Sequence, residues 1–335
     1  MNSAMLARLR SAGGGFVALS ELGSDLHVVA NDLDELADFG HVLERHPYLG
    51  VAYRAPSARL CPDQIEWQLG TQLIGQRLAV WDRISSTNDL AAAAARSRTN
   101  DGLVILAEGQ SSGRGRRGRS WTVPSGSSLL MSVLLFPSGG LEQISRLMAL
   151  GAVAVAELVA DRIGREARIK WPNDVRVDGR KIAGILVERG AGVVIGIGLN
   201  VNVLEHELPE SITQSATSLR ILTGLFHDRS EIARDLIQRL DSLYVRSRDI
   251  GTERLDTSWS RLLEPLGREV SLSTTRGDFR GRLVEANLAR GLSLQGLDGV
   301  TRVIETSEIL GIDTEEDPRL EINRHDPLPG RSTEC

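Results

Sequence analysis

The spacing of apolar residues changes three times along this chain. Up to about residue 62 it is helical in short runs, Ala4 to Arg10, Ala18 to Leu26 and Asn31 to Gly40, followed by a small hairpin from Pro47 to Pro56. Three short helices and a hairpin in that order predict a winged helix-turn-helix unit, and Cys61-Pro62-Asp63 begins a linker helix. From Gly75 to about Leu222 the pattern is mixed. Strand-like runs occur at Gly102 to Ala107, Ser128 to Phe136, Arg168 to Trp171, Lys181 to Glu188 and Val193 to Val201. Helical spacing occurs at Asn88 to Arg98 and at Leu141 to Ile163, where Ile144, Leu147, Met148, Ala154, Val155, Leu158 and Val159 recur on one face. Turn signals at Val177-Asp178-Gly179-Arg180 and at Arg189 to Gly192 join neighbouring strands as hairpins. Antiparallel pairs closed by tight turns predict an α+β fold rather than a doubly wound one.

Two further helices are expected at Ser230 to Val245 and Thr252 to Leu263, each with Ser or Thr at its N-cap. Between Gly267 and Ile312, alternating strands around Val270/Leu272, Phe279/Leu283, Leu292/Leu294 and Val300/Val303 are separated by Gly-containing turns, which predicts a small β-barrel. The expected division is 1–62, 63–264 and 265–315. The Pro- and charge-rich tail, 316–335, is expected to be disordered. The chain's 335 residues exceed what one core commonly serves, ~250 residues, which agrees with several domains.

Composition narrows the function classes. At 41% hydrophobic and 25% charged residues the chain is ordinary for a soluble protein, and a formal charge of -5 argues against a globally basic nucleic-acid binder. Cys61 and Cys335 match no metal or redox spacing, which fits a reducing cytoplasm. Met1 to Phe16 lacks the apolar run of a signal peptide. The most apolar stretch, Leu147 to Ala160, is interrupted by Glu157 and is too short to span a bilayer. A cytoplasmic protein without a membrane segment is expected.

One detail of charge points to chemistry. Of the 39 Lys and Arg residues only two are lysines, Lys170 and Lys181, and they bracket one segment that also holds Arg176 and Arg180. On a solvated surface the two cations are nearly exchangeable. A compact three-donor charge on a flexible stem is not replaceable by guanidinium. Lys181, at a strand start after a tight turn, is either an exposed strand-end lysine or a cation suited to lie beside a carboxylate and an α-phosphate. Asn173-Asp174 follows Trp171-Pro172, and Asp174 is either a turn former or a ligand for magnesium or an ordered water.

Gly113-Arg-Gly-Arg-Arg-Gly-Arg-Ser-Trp121 lies between strands as a loop. Its glycines expose backbone N–H groups and its four arginines attract an anion, which suits a loop folding over a small charged ligand. Ser85-Ser86-Thr87-Asn88 is either a helix cap or a cluster of donors and acceptors suited to a urea-like ring, with Gln110 as an addition. Gly196-Ile-Gly198-Leu-Asn200-Val-Asn202 interleaves apolar residues as a strand does, so it is not a dinucleotide fingerprint, and its glycines suggest close approach of a ligand or a backbone.

Gly113 to Trp121, Lys170-Trp-Pro-Asn-Asp174, Arg180-Lys-Ile-Ala-Gly-Ile-Leu-Val-Glu188 and Gly196-Ile-Gly-Leu-Asn-Val201, in that order, resemble the biotin protein ligase family. With Ser86-Thr87-Asn88 upstream, the resemblance covers about Gly75 to Ile312. The N-terminal unit resembles that of the bifunctional branch that doubles as a biotin repressor. The resemblance implies a class II synthetase-like catalytic domain with a mixed sheet and an SH3-like C-terminal barrel. It implies that biotin and MgATP give biotinyl-5'-adenylate, which a lysine of a biotin carboxyl carrier protein then attacks. Such an intermediate requires shielding from water. By the family pattern, Ser86, Thr87, Asn88, Gln110 and Gly184 would hold biotin, and Arg114, Gly115 and Arg116 would close over it. Lys181, with Arg114 and Arg116, would act on the carboxylate and α-phosphate. Arg117, Arg119, Trp121, Asn173, Asp174 and Asn200 would face ATP, with Asp174 toward magnesium. A homodimer paired through sheet edges is also compatible with the resemblance.

The N-terminal unit departs from a DNA reader. No Lys or Arg lies between Arg10 and Arg45, whereas Glu21, Asp25, Asp32, Asp34, Glu35, Asp38 and Glu44 are acidic, four of them in the expected recognition helix. Duplex affinity rests on neutralised phosphates, with a salt slope of ~0.9 per contact. DNA binding is therefore not expected. A lipoate or octanoyl transferase is a third alternative, which the polar Ser86-Thr87-Asn88 cluster disfavours.

Overall fold

The first helix of the computed structural model, α1 (Ser3–Ser11), starts where the Asn2 side chain accepts a hydrogen bond from the Met5 N–H, satisfying one of the donors a helix start leaves open. Residues 1–138 and 140–314 are described, so the expected tail and Cys335 lie outside the described residues. A two-residue strand, β1 (Phe16–Val17), leads to α2 (Leu19–Leu22) and α3 (Leu26–Asp38). Helix α2 is shorter than expected because Asp25 opens the next helix, its carboxylate accepting from the N–H groups of His27 and Val28. The stretch expected as a separate helix from Asn31 is the second half of α3. Strands β2 (Val42–His46) and β3 (Gly50–Ala55) form the hairpin, whose turn is the Pro47 to Leu49 segment taken as its start. Strand β1 pairs with β3, and Leu6, Leu9, Val29, Leu33, Leu36 and Val51 fill the space beneath. Pro62 stands in the first turn of the linker helix α4 (Pro62–Glu66), where its missing N–H costs nothing.

A seven-stranded mixed sheet follows. Its strands are β4 (Leu78–Ile84), β5 (Val104–Gln110), β6 (Ser128–Leu135), β7 (Arg168–Lys170), β8 (Asp174–Val177), β9 (Arg180–Arg189) and β10 (Val193–Asn200), in the spatial order β4-β5-β6-β10-β9-β8-β7. Only β4 and β5 run parallel. Helix α5 (Thr87–Ala94) packs on β5, β6 and β10 from one side. On the other side the apolar α6 (Ile144–Ile163) packs on β7 to β10, and the sequence continues through α7 (Leu219–Thr223), α8 (Arg229–Asp249) and α9 (Glu253–Leu262). Because both faces are covered, β6 is buried at every position and reads as an uninterrupted apolar run. Two strands lie outside the expected set. β4 is a half-exposed edge without clean alternation, and β8 begins at Asp174, whose Asn-Asp pair carries a turn signal.

Residues 1–262 form one compact unit, and a second begins at Leu263. The second holds β11 (Glu269–Thr274), β12 (Gly277–Asn287), β13 (Gly291–Gln295), β14 (Thr301–Ile304) and β15 (Ile309–Thr314), all antiparallel in the order β14-β13-β12-β11-β15. The fifth strand adds to the four read from the sequence. No described helix is long and apolar enough to cross a membrane.

Candidate active site

Side chains alternate across a strand, and on β9 and β10 that alternation sends Ile185 and Ile195 toward α6, against Gly151. The opposite face carries glycines where a cavity needs a floor. Gly198 pairs directly with Gly184, and Gly196 pairs with Leu186 on one side and Ser132 on the other. A β-carbon on Gly198 would lie 2.5 Å from the Trp121 ring, and one on Gly184 would lie 3.1 Å from it. The indole thus rests on the glycine pair. Its Nε1 is buried without a hydrogen-bond partner. A β-carbon on Gly196 would lie 2.2 Å from Asn88 Oδ1, so the amide occupies that neighbouring gap.

Lys181 is three residues before Gly184, and strict alternation would put the two on opposite faces. The register between β8 and β9 shifts, with Val175 opposite Ala183 but Arg176 opposite Lys181, so Ile182 is an extra residue. This bulge re-aims the lysine. Its Nζ lies 3.2 Å from where a Gly184 β-carbon would be, 2.7 Å from Asp174 Oδ1 and 5.4 Å from the Trp121 ring centre. The Lys181 backbone is also tied to the 215–217 loop, donating to Ser215 O at 2.7 Å and accepting from Thr217 N at 2.8 Å. The result is a compact cation, only partly exposed, aimed across the glycine floor.

The start of α5 forms the second wall. Ser86 holds the N-cap position but its side chain makes no cap hydrogen bond. Gln110 Oε1 does so instead, accepting from Thr87 N at 2.7 Å and Thr87 Oγ1 at 3.1 Å. This resolves the two readings of the Ser85 to Asn88 segment: the cap role falls to Gln110, and Ser86 lines the cavity. Ser132, in the middle of the buried strand β6, donates to Asn88 Oδ1 at 2.6 Å, while Asn88 Nδ2 donates to Glu188 at 2.6 Å. Ser86, Thr87 and Asn88 are all nearly inaccessible, so their polar atoms are fixed before any ligand arrives.

The arginine loop is a closed structure rather than a loose one. Arg114 bridges to Ser120, Gly115 N donates to Arg119 O at 2.7 Å, and Trp121 N donates to Gly113 O at 2.9 Å. Arg117 takes a left-handed conformation at its tip, with φ 56°. Arg114 pairs with Asp89 at 2.7 Å and Glu188 at 3.2 Å, and the hydrogen bonds it donates to Asp89 in particular hold its pKa above the ordinary range. Arg116 is different. Burial, and next the charge of Arg117, push its pKa down, and its Nη1 donates to Asn173 Oδ1 at 3.4 Å. An anion would relieve both influences.

These walls enclose a cavity of about 150 Å³. Of the residues singled out in the sequence, Ser86, Thr87, Asn88, Gln110, Arg114, Gly115, Arg116, Arg119, Trp121, Asn173, Asp174, Lys181 and Gly184 line it, and Arg117 and Asn200 do not. Asn200 ends the same face of β10, buried, with Nδ2 donating to Thr217 O at 2.9 Å and Oδ1 without a partner. Sequence reasoning missed Asp89, Ser132 and Glu188. A serine in the middle of an apolar strand was the available signal for Ser132, whereas the carboxylates reach the site only through pairing. Among the described residues no three His, Cys, Asp or Glu side chains gather as a metal site.

The sequence profile of the biotin/lipoate A/B protein ligase family matches residues 80–202. The chain is 38% identical over 202 residues to the biotin--[acetyl-CoA-carboxylase] ligase of Mycobacterium tuberculosis, covering 57% of this chain and 74% of that one. It is 29% identical over 296 residues to the bifunctional ligase/repressor BirA of Bacillus subtilis, covering 87% and 91%. Among solved structures, the biotin protein ligase from Aquifex aeolicus in complex with biotin and ATP superposes with a TM-score of 0.64 at 26% identity, over 72% of this chain and 100% of that one.

Proposed function

Because the chain belongs to the biotin/lipoate A/B protein ligase family and is an ATP-dependent biotin protein ligase, we propose how its own residues carry the reaction. A biotin carboxylate oxygen attacks the α-phosphorus of ATP and pyrophosphate leaves. The amine of a carrier-protein lysine then attacks the biotinyl carbonyl, losing a proton as AMP departs. The observation that carries the assignment is Lys181, set by the Ile182 bulge between Asp174 and the Trp121 ring above a floor of glycines. An ammonium there lowers the repulsion between carboxylate and α-phosphate as they meet.

Biotin's ureido ring would lie against Ser86, Thr87 and Asn88, with Gln110 and Ser132 holding those groups in place. Arg116 would meet the adenylate phosphate, since it lacks a hydrogen-bonded carboxylate among the described residues, and Gly115 would bring the loop backbone close. Arg114, committed to Asp89 and Glu188, would anchor the loop. Asn200, with its orphaned buried Oδ1, is suited to the adenine or its ribose; Trp121, Arg117 and Arg119 would flank the nucleotide. Magnesium would be held mainly by phosphate oxygens, with Asp174 as the protein's oxygen donor beside Asn173, a shell such as that ion accepts. When bound it neutralises phosphate charge. The acceptor is a biotin carboxyl carrier protein of a carboxylase.

Purified protein given biotin and MgATP is expected to form biotinyl-adenylate and to label a carrier domain; no product would defeat the assignment. Biotin, and not lipoate, is expected to raise the melting temperature.

The division into 1–62, 63–264 and 265–315 and a cytoplasmic location remain part of this proposal, as do a winged-helix shape for the first part and an SH3-like shape for the last. The N-terminal part is proposed not to bind DNA. Three of its arginines are ion-paired within it: Arg45 with Asp34 at 2.6 Å, Arg8 with Glu21 at 2.6 Å and Arg54 with Glu44. Salt-dependent binding of a defined operator at micromolar protein, enhanced by biotin and ATP, would overturn this.

A further inference from the structure

Lys170 has no task in the site as described, and its place in the sheet supplies one. It lies directly opposite Asp174 in the β7–β8 pair, and directly opposite residues project to the same face. Asp174 lines the cavity and holds Lys181 on its other side. The neighbours of Lys170 confirm the facing. Ile169 is fully buried, and Trp171 packs edge-on against Trp259 of α9 at 5.9 Å, so both belong to the helix side of the sheet. Lys170 is half-buried, yet its ammonium has no hydrogen-bond or ion-pair partner among the described residues. The chain's two lysines therefore flank a single carboxylate.

Position along the sheet indicates what this second ammonium meets. The proposed ureido site lies on α5, β6 and β10, and the carboxylate-to-phosphate junction lies at Lys181 on β9. Continuing the same line reaches Asp174 on β8 and then Lys170 on the edge strand β7. Two strand spacings, ~10 Å, separate β7 from β9, a span that a triphosphate and a lysine stem bridge together. Arg116, joined to Asn173 at 3.4 Å, adds positive charge at that end.

Resting on the ligase assignment above, we propose that Lys170 binds the β- and γ-phosphates of ATP, the half that leaves as pyrophosphate. It then serves adenylation and not transfer, because pyrophosphate has departed before the carrier's lysine attacks. The full-length Lys170→Met and Lys170→Arg proteins would be compared in two assays. The first is biotin-dependent ATP–pyrophosphate exchange, read as kcat/KM for ATP. The second is transfer to a carrier domain from biotinyl-adenylate prepared beforehand. A lost charge-assisted phosphate contact is expected to lower the exchange roughly 10- to 100-fold in Lys170→Met. A smaller loss is expected in Lys170→Arg, with transfer from the prepared adenylate unchanged in both. Exchange in Lys170→Met near that of the natural protein would overturn the proposal, and so would an equal fall in both assays, which marks a structural role. Absence of exchange in the unaltered protein would instead defeat the ligase assignment itself.

Discussion

Substituting Gly196 by alanine tests whether the Asn88 amide is held as firmly as the hydrogen bonds indicate. The added β-carbon would stand 2.2 Å from Asn88 Oδ1, 2.9 Å from Cγ and 3.0 Å from Nδ2. The amide would have to retreat by about 1 Å to reach ordinary contact. Retreat is opposed on both sides, because Oδ1 accepts from Ser132 and Nδ2 donates to Glu188, each at 2.6 Å. Overpacking of this kind costs about 1–3 kcal/mol, and the second of those hydrogen bonds, to a carboxylate, is worth ~1.5–3 kcal/mol by itself. The cheaper escape is for Asn88 to swing away, which removes a polar partner from the ureido site. Biotin affinity without ATP, measured by titration calorimetry, is then expected to weaken roughly 10- to 100-fold, about 1.4–2.8 kcal/mol. Gly190→Ala is the control, since nothing lies within 4 Å of its β-carbon. Biotin binding within twofold of the unaltered protein, at an unchanged melting temperature, would refute the reasoning.

Three other outcomes are expected. Lys181→Arg keeps the charge but puts a planar group where a compact ammonium sits between Asp174 and the indole, and adenylation is expected to fall roughly 100-fold or more; near-native product formation would contradict the role given to that residue. Arg10→Met strips the buried Asp228, which caps α8 and also accepts from Gln64 at 2.7 Å, of its cation. Denaturant unfolding should show a loss of about 2–4 kcal/mol, and an unchanged midpoint would count against that ion pair. His41 is buried and its Nδ1 accepts from Ser57 N at 3.0 Å, so burial, reinforced by Arg10, pushes it down from 6.5 to about 4. The unfolded chain binds that proton first, so the contribution is complete above pH 6.5 and is lost as pH falls toward 4, by up to about 3 kcal/mol. His41→Gln should flatten that part of the stability–pH profile, and an identical slope would exclude the histidine as its source.

Much of the site was legible because its residues occur in short contiguous runs. Ser86 to Asn88, Gly113 to Trp121, Asn173-Asp174 and Lys181 to Gly184 each announce themselves by composition, and each run contributes residues to one cavity. What escaped were the connections between runs. Asp89 and Glu188 are ordinary surface acids in the sequence, yet both close on Arg114. Gln110 was read as an extra ligand group, but it also caps α5 across 23 positions. The loop expected to fold over a charged ligand is closed by its own backbone hydrogen bonds, which depend on a register that composition does not reveal.

By itself the sequence determined most of the helices and strands, the α+β class, the resemblance to biotin protein ligases and the segments that carry the chemistry. These follow from local rules, the periodicity of apolar residues and the preferences of Gly, Pro and polar side chains at turns and caps. Only the tertiary structure decided which face each residue serves. The Ile182 bulge turns Lys181 onto the glycine floor against strict alternation, and the β7–β8 pairing sets Lys170 beside the same carboxylate. A one-residue shift in register inverts a side chain's facing without changing composition, and register is settled by partners distant in sequence.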